Sequence, residues 1–79
     1  MKRVYIASVK PLAQYVLQVN FISGSQLLLD LSGRIDSLRF RPLKNPIIWN
    51  SAATDGIFVQ FGDTEISHDE ILSMAEEIR

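Results

Sequence analysis

Cysteine is absent from this 79-residue chain, so neither disulfides nor thiolate metal sites can staple it. Long apolar runs are absent too. None approaches the roughly 18 residues of a membrane span, and the N-terminal residues show no signal-peptide pattern, so a cytoplasmic setting is expected. The four glycines are single, with no phosphate-cradling loop. His68 is the one histidine. A nucleophilic triad would need it as the base, and its expected place, exposed in a first helical turn, argues against that. A divalent ion among His68, Asp69, Glu70, Asp63 and Glu65 is conceivable, but their spacing matches no known site. Glu76 and Glu77 are helix neighbours that point to different sides. No catalytic, metal or cofactor site and no small-molecule substrate is evident, so the chain reads as a non-enzyme.

What is present makes one domain, residues 1–79. A chain this short buries only about 60–65% of its unfolded surface. The apolar fraction of 47% and mean hydropathy of +0.11 are high for so small a core and point to self-association. The net charge of −1 is unevenly spread. Lys2, Arg3, Lys10, Arg34, Arg39, Arg41 and Lys44 outweigh Asp30 and Asp36 in the first 50 residues, whereas Asp55, Asp63, Glu65, Asp69, Glu70, Glu76 and Glu77 outweigh Arg79 in the rest. Mutual neutralisation of the two halves is the expected result.

The chain is organised around Tyr15 to Leu31, which reads as one β-hairpin. Tyr15, Leu17, Val19 and Phe21 alternate with Val16, Gln18 and Asn20, and Leu27, Leu29 and Leu31 alternate with Gln26, Leu28 and Asp30. A two-residue loop at Ser23-Gly24 would put the two apolar rows on opposite faces. A three-residue loop, Ile22-Ser23-Gly24, pairs Val19 with Leu27 and Leu17 with Leu29, and it places Gly24 at an αL position that closes a bulged turn. The opposite face carries Val16, Ile22 and Leu28 beside Gln18, Asn20, Gln26 and Asp30. These are either scattered surface residues or a half-covered face that meets another chain.

Before the hairpin, Arg3 to Val9 reads as a strand with Val4 and Ile6 on one face and Tyr5, Ala7 and Val9 on the other, stopped by Lys10-Pro11. After it, the region from Ser32 to Ser37 forms at most one helical turn. A loop or edge segment then sends Leu38, Phe40 and Leu43 into the core. Asn45-Pro46 opens a short helix to about Ala53 carrying Ile47, Ile48, Trp49 and Ala52, with Trp49 expected in the core. Thr54-Asp55-Gly56 is a turn. Ile57 to Phe61 is a strand, and a Gly62-Asp63 loop pairs Phe61 with Thr64 and Val59 with Ile66. Ser67 and Glu70 form a capping box and Ile66 with Ile71 a hydrophobic staple. In the helix that follows, Ile71, Met74, Ala75 and Ile78 make the apolar stripe and Leu72 widens it. The expected fold is therefore α+β: a small antiparallel sheet (three-stranded meander plus a second hairpin) packed with a short central helix and a C-terminal helix.

Val9, Pro11-Leu12, Tyr15, Leu17, Val19, Phe21, Gly24, Asp30-Leu31-Ser32, Pro42-Leu43 and Ile66-Ser67-x-Asp69-Glu70 together resemble the small bacterial proteins grouped as domain of unknown function 2442. Members usually carry Asp or Asn where this chain has Ser23, a change in turn chemistry only. The resemblance spans nearly the whole chain and rests mostly on strand, turn and cap positions. It implies a small α+β domain of the stand-alone form. Some members are fused ahead of a helix-turn-helix domain and some are encoded beside a small toxin-like protein.

The residues and the resemblance together point to a protein-binding or regulatory module, the partner of a small toxin-like protein or a regulator's accessory domain. Its contact face is expected at Val16, Ile22, Leu28 and Phe58, met by a second copy in a homodimer or by a small protein. The alternative is a nucleic-acid-binding accessory using the basic segment Arg34, Arg39, Arg41 and Lys44 around Phe40. Four basic residues with one aromatic make a weak signal of that kind, and arginine stems covering the core rim are the simpler account of the segment.

Overall fold

The computed structural model describes residues 4–76, in the order β1 (Ile6–Pro11), β2 (Val16–Phe21), β3 (Gln26–Asp30), α1 (Pro46–Trp49), β4 (Ala53–Thr54), β5 (Phe58–Phe61), β6 (Thr64–Ser67) and α2 (His68–Glu76). Expectations for Lys2, Arg3, Glu77, Ile78 and Arg79, and for the side chain of Glu76, lie outside the described residues. The fold is α+β, with two antiparallel sheets in the orders β1-β2-β3 and β4-β5-β6. The second hairpin thus gains a two-residue third strand, β4.

The central hairpin takes the register that its apolar rows require. Leu17 faces Leu29 and Val19 faces Leu27, and all four point into the core. The loop closes with Gly24 at φ +95°, its N–H donating to the Phe21 carbonyl at 3.0 Å. The second hairpin pairs Val59 with Ile66 and Phe61 with Thr64, also as expected.

β1 departs from the simple alternation. Ile6 pairs with Phe21 and Ser8 with Asn20, and the shift between them makes Ala7 an extra residue. This bulge resets the parity, so Ile6 and Val9 both face the core instead of opposite sides. Pro11 does not stop the strand but pairs with Leu17. It lies on an edge strand, where its missing amide is tolerated. In the connection to β2, the Val16 N–H donates to the Ala13 carbonyl, across Gln14 (φ 60°) and Tyr15 (φ 62°). Two successive positive φ values define a type I′ turn, here built without glycine.

The segment between the sheets is a chain of 3-10 turns. It buries Ile35, Phe40 and Leu43, but Leu38 is 83% exposed and does not reach the core. Asn45 caps α1 by accepting from the Ile47 N–H at 2.9 Å. This helix ends at Trp49 and not near Ala53, because the Ser51 N–H and Oγ turn back to the Ile48 carbonyl and the chain enters β4. Trp49 fills the core, stacked on Phe61 at 5.3 Å, with its Nε1 donating to the Leu12 carbonyl at 3.1 Å. At α2 the capping box is reciprocal: the Glu70 N–H donates to Ser67 Oγ at 3.1 Å and the Ser67 N–H to Glu70 Oε1 at 3.2 Å. Ile66 and Ile71 are fully buried as the staple. Leu72, expected to widen the buried stripe, stays at the surface.

Among the described residues, a backbone joint at Gly56 connects the sheets. The Gly56 carbonyl accepts from both the Tyr5 and the Ile6 N–H, each at 2.9 Å. Gly56 has φ +103°, and a Cβ there would collide with Val4 Cγ1. At Gly24 a Cβ would meet nothing. Gly56→Ala should therefore cost about 2 kcal/mol or more, from backbone strain plus overpacking, and Gly24→Ala only about 1 kcal/mol. Urea midpoints of the two variants check the order. Gln14→Gly removes αL strain and should raise stability by up to about 1 kcal/mol, seen as a higher urea midpoint.

Candidate functional site

An exposed apolar groove is built where three elements meet. The Gly56 joint holds Val4 and Tyr5 ahead of β1, and the Ile22 N–H donates to the Tyr5 carbonyl at 2.9 Å. This brings the hairpin loop beside the entry to β1. The start of α2 is fixed by the His68 N–H donating to the Ile57 carbonyl at 2.8 Å. The Tyr5 and His68 rings stack at 4.2 Å and 9°, and Phe21 meets His68 edge-on at 5.9 Å. Among the described residues, Val4, Tyr5, Phe21, Ile22, His68 and Leu72 line a groove of about 510 Å³ together with Ser23 and Ser25, with no Asp, Glu, Lys or Arg. Ile22 is 60% exposed.

His68 is therefore not the exposed first-turn residue expected from the sequence, since its side chain is only 16% exposed. Its Nδ1 lies 3.5 Å from Asp69 Oδ1. Among the described residues no group of three or more His, Asp or Glu side chains is placed to hold a metal ion. Likewise, no described helix is long and apolar enough to cross a membrane.

The four side chains expected to form a contact face do not lie together. Ile22 belongs to the groove. Phe58 is half-buried in β5, in the other sheet. Val16 and Leu28 share the outer face of the first sheet, where Leu28 is 57% exposed. That face is otherwise polar and internally bonded. Asn20 Oδ1 accepts from Gln26 Nε2 at 3.0 Å and from Gln18 Nε2 at 3.3 Å, and Asn20 Nδ2 donates to Ser8 Oγ at 3.0 Å. An amide network thus spans the three strands on the face that Val16 and Leu28 share.

The basic segment is partly committed to the fold. Arg39 grips Glu70 with both terminal nitrogens, and its Nη2 also donates to the Glu65 carbonyl at 2.7 Å. Its guanidinium lies 4.9 Å from the Phe40 ring centre. This pair neutralises charge across the two halves of the chain. Lys44 pairs with Asp36 within the first half, and together with Arg41 it lowers the Asp36 pKa. Arg41 is exposed and Arg34 half-buried.

No protein-family model and no curated protein matches the chain. Among solved structures, the fold is similar to the crystal structure of "Putative DNA Binding Protein NE0471" from Nitrosomonas europaea, with 23% identity and a TM-score of 0.75. The alignment covers 98% of this chain and 54% of that one, so this chain spans about half that protein's length. The likeness shows a shared fold.

The groove was not visible in the sequence because Val4 and Tyr5 precede β1 and Leu72 sits off the helical stripe. Only the joint at Gly56 brings them to Ile22. The Arg39–Glu70 contact has a titratable consequence. The arginine hydrogen bonds, helped by the Ser67 N–H, lower the Glu70 pKa from 4.5 to about 2. A depressed carboxylate contributes stability above its unfolded pKa and loses it as pH falls towards the folded value. Acid denaturation should therefore lose this contribution between about pH 4.5 and pH 2. Glu70→Gln keeps a capping side chain and should flatten that part of the stability–pH curve. Because the pair is roughly half exposed, the effect should stay below about 1 kcal/mol.

Proposed function

We propose that the protein is a non-catalytic protein-binding or regulatory module that works by contact through the Tyr5–Ile22–Leu72 groove. The observation that carries this reading is the convergence of exposed Val4, Tyr5, Ile22 and Leu72 on one concave surface that, among the described residues, has no carboxylate or permanent cation along it. Contiguous exposed apolar surface of this kind is what protein partners cover. A small protein is the occupant taken here, in keeping with the resemblance to the domain of unknown function 2442 family.

The alternative, nucleic-acid contact through Arg34, Arg39, Arg41 and Lys44, draws on the name of the Nitrosomonas europaea protein. Two observations weigh against it for this chain. Arg39 and Lys44 are already paired with Glu70 and Asp36, and the matched fold accounts for only 54% of that protein.

Capture of the tagged protein from its source cells, beside an Ile22→Glu control, separates the two readings. The expected result is a stoichiometric protein held by the parent and lost from the variant. Binding of labelled duplex DNA that weakens steeply with salt and disappears in Arg41→Glu, while Ile22→Glu still binds, would replace this reading with the alternative.

A further inference from the structure

The geometry points to a second surface, independent of the groove: the free edge of β3 pairs with β3 of a second copy, with Leu28 on the twofold axis. The argument begins with hydrogen-bond parity. The Phe21 N–H donates to the Ser25 carbonyl and the Leu31 N–H to the Tyr15 carbonyl. In this antiparallel ladder (Leu17 opposite Leu29, Val19 opposite Leu27), Leu27 and Leu29 thus spend their backbone groups on β2. The backbone groups of Gln26, Leu28 and Asp30 point the other way, off the sheet. Among the described residues, no backbone hydrogen bond from outside the strand reaches these three.

The two edges of this sheet differ in protection. β1 carries a bulge at Ala7, Lys10 and Pro11, and its entry is tied to Gly56. These are devices that keep an edge from pairing with another chain. β3, Gln26-Leu27-Leu28-Leu29-Asp30, contains no proline, lysine or bulge, and its outward Leu28 is 57% exposed.

The strand also fits itself. An antiparallel β3 pair centred on Leu28 sets Leu28 opposite its own copy and Gln26 opposite Asp30 of the other chain. All three outward-pointing residues then fall at hydrogen-bonded positions. On the outer face an amide meets a carboxylate at each end, and the two Asp30 carboxylates stay at opposite ends. Centring the axis on Asp30 would set like charges face to face, which disfavours that register. On the inner face Leu27 and Leu29 stay packed in each copy's own core. A second copy is the occupant because this one segment supplies both halves of the complementarity.

Sedimentation equilibrium of the full chain tests the proposal, with hydrogen exchange as an independent readout. The parent should show twice its 8.9 kDa mass, and the Leu28 amide should exchange more slowly as protein concentration rises. Leu28→Lys, which sets two cations against each other across the axis, should return the mass to 8.9 kDa. Ile22→Lys, in the groove, should leave the dimer intact. A parent that stays monomeric at high micromolar concentration overturns the proposal. So does a dimer that survives Leu28→Lys, or one in which the Leu28 amide exchanges at the monomer's rate.

Discussion

The carbonyl of Gly56 is the constraint on which the arrangement of both sheets depends. It takes two amide hydrogens, from Tyr5 and Ile6, at the point where the first strand begins. Buried carbonyls must be satisfied, and this one is satisfied by the other sheet. The geometry demands a positive φ and leaves no room for a side chain against Val4. It also sets which way Ile6 enters β1, so the joint, the bulge at Ala7 and the inward turn of Val9 follow one another. Below the joint, Leu17, Val19 and Leu29 from one sheet and Val59, Phe61 and Ile66 from the other form one core. A chain without disulfides has this packing and a few backbone ties to hold its sheets together.

What could be read in the sequence were features whose cause is local. The register of the central hairpin follows from two apolar rows and one glycine, because a slip by one residue exposes both rows at once. The capping box at Ser67 and Glu70 and the Gly62-Asp63 hairpin are equally local, and each is present in the structure. What could not be read depends on partners distant in sequence. The Ala7 bulge exists because β1 must serve both Phe21 and Gly56. β4 is two residues long and has no pattern of its own. Leu38 alternates correctly with Phe40 but stays outside, since 3-10 turns do not keep a strand's period of two. His68 looked like a surface residue because its stacking partner, Tyr5, lies 63 positions away.

Charge follows the same division. The excess of cations in the first half and anions in the second suggested neutralisation, and Arg39 with Glu70 supplies a contact between them. That contact adds a second use for a residue already employed as a helix cap. Glu70 receives the Ser67 N–H and the Arg39 guanidinium together, so the turn segment is fastened to the start of α2. In water a half-exposed ion pair contributes little. Its effect here is geometric: Phe40, next in sequence, is held in the core while Arg39 lies beside its ring.

A small chain with a small core has few ways to cover all its apolar side chains, and where it leaves them uncovered is informative. Exposed Leu38 and Ile47 stand on the turn segment and on α1, outside the groove lining, and single exposed side chains call for no explanation. Val4, Tyr5, Ile22 and Leu72 are different because three separate elements deliver them to one place. Burying such side chains is worth roughly 1.5–3 kcal/mol each, yet the backbone ties that gather them also hold them apart. The Tyr5–Ile22 hydrogen bond and the Tyr5–His68 stack fix the loop, the strand entry and the helix start at set distances. The Gly56 joint seats Tyr5 where it meets both Ile22 and His68. The contact that secures the fold therefore also shapes this surface.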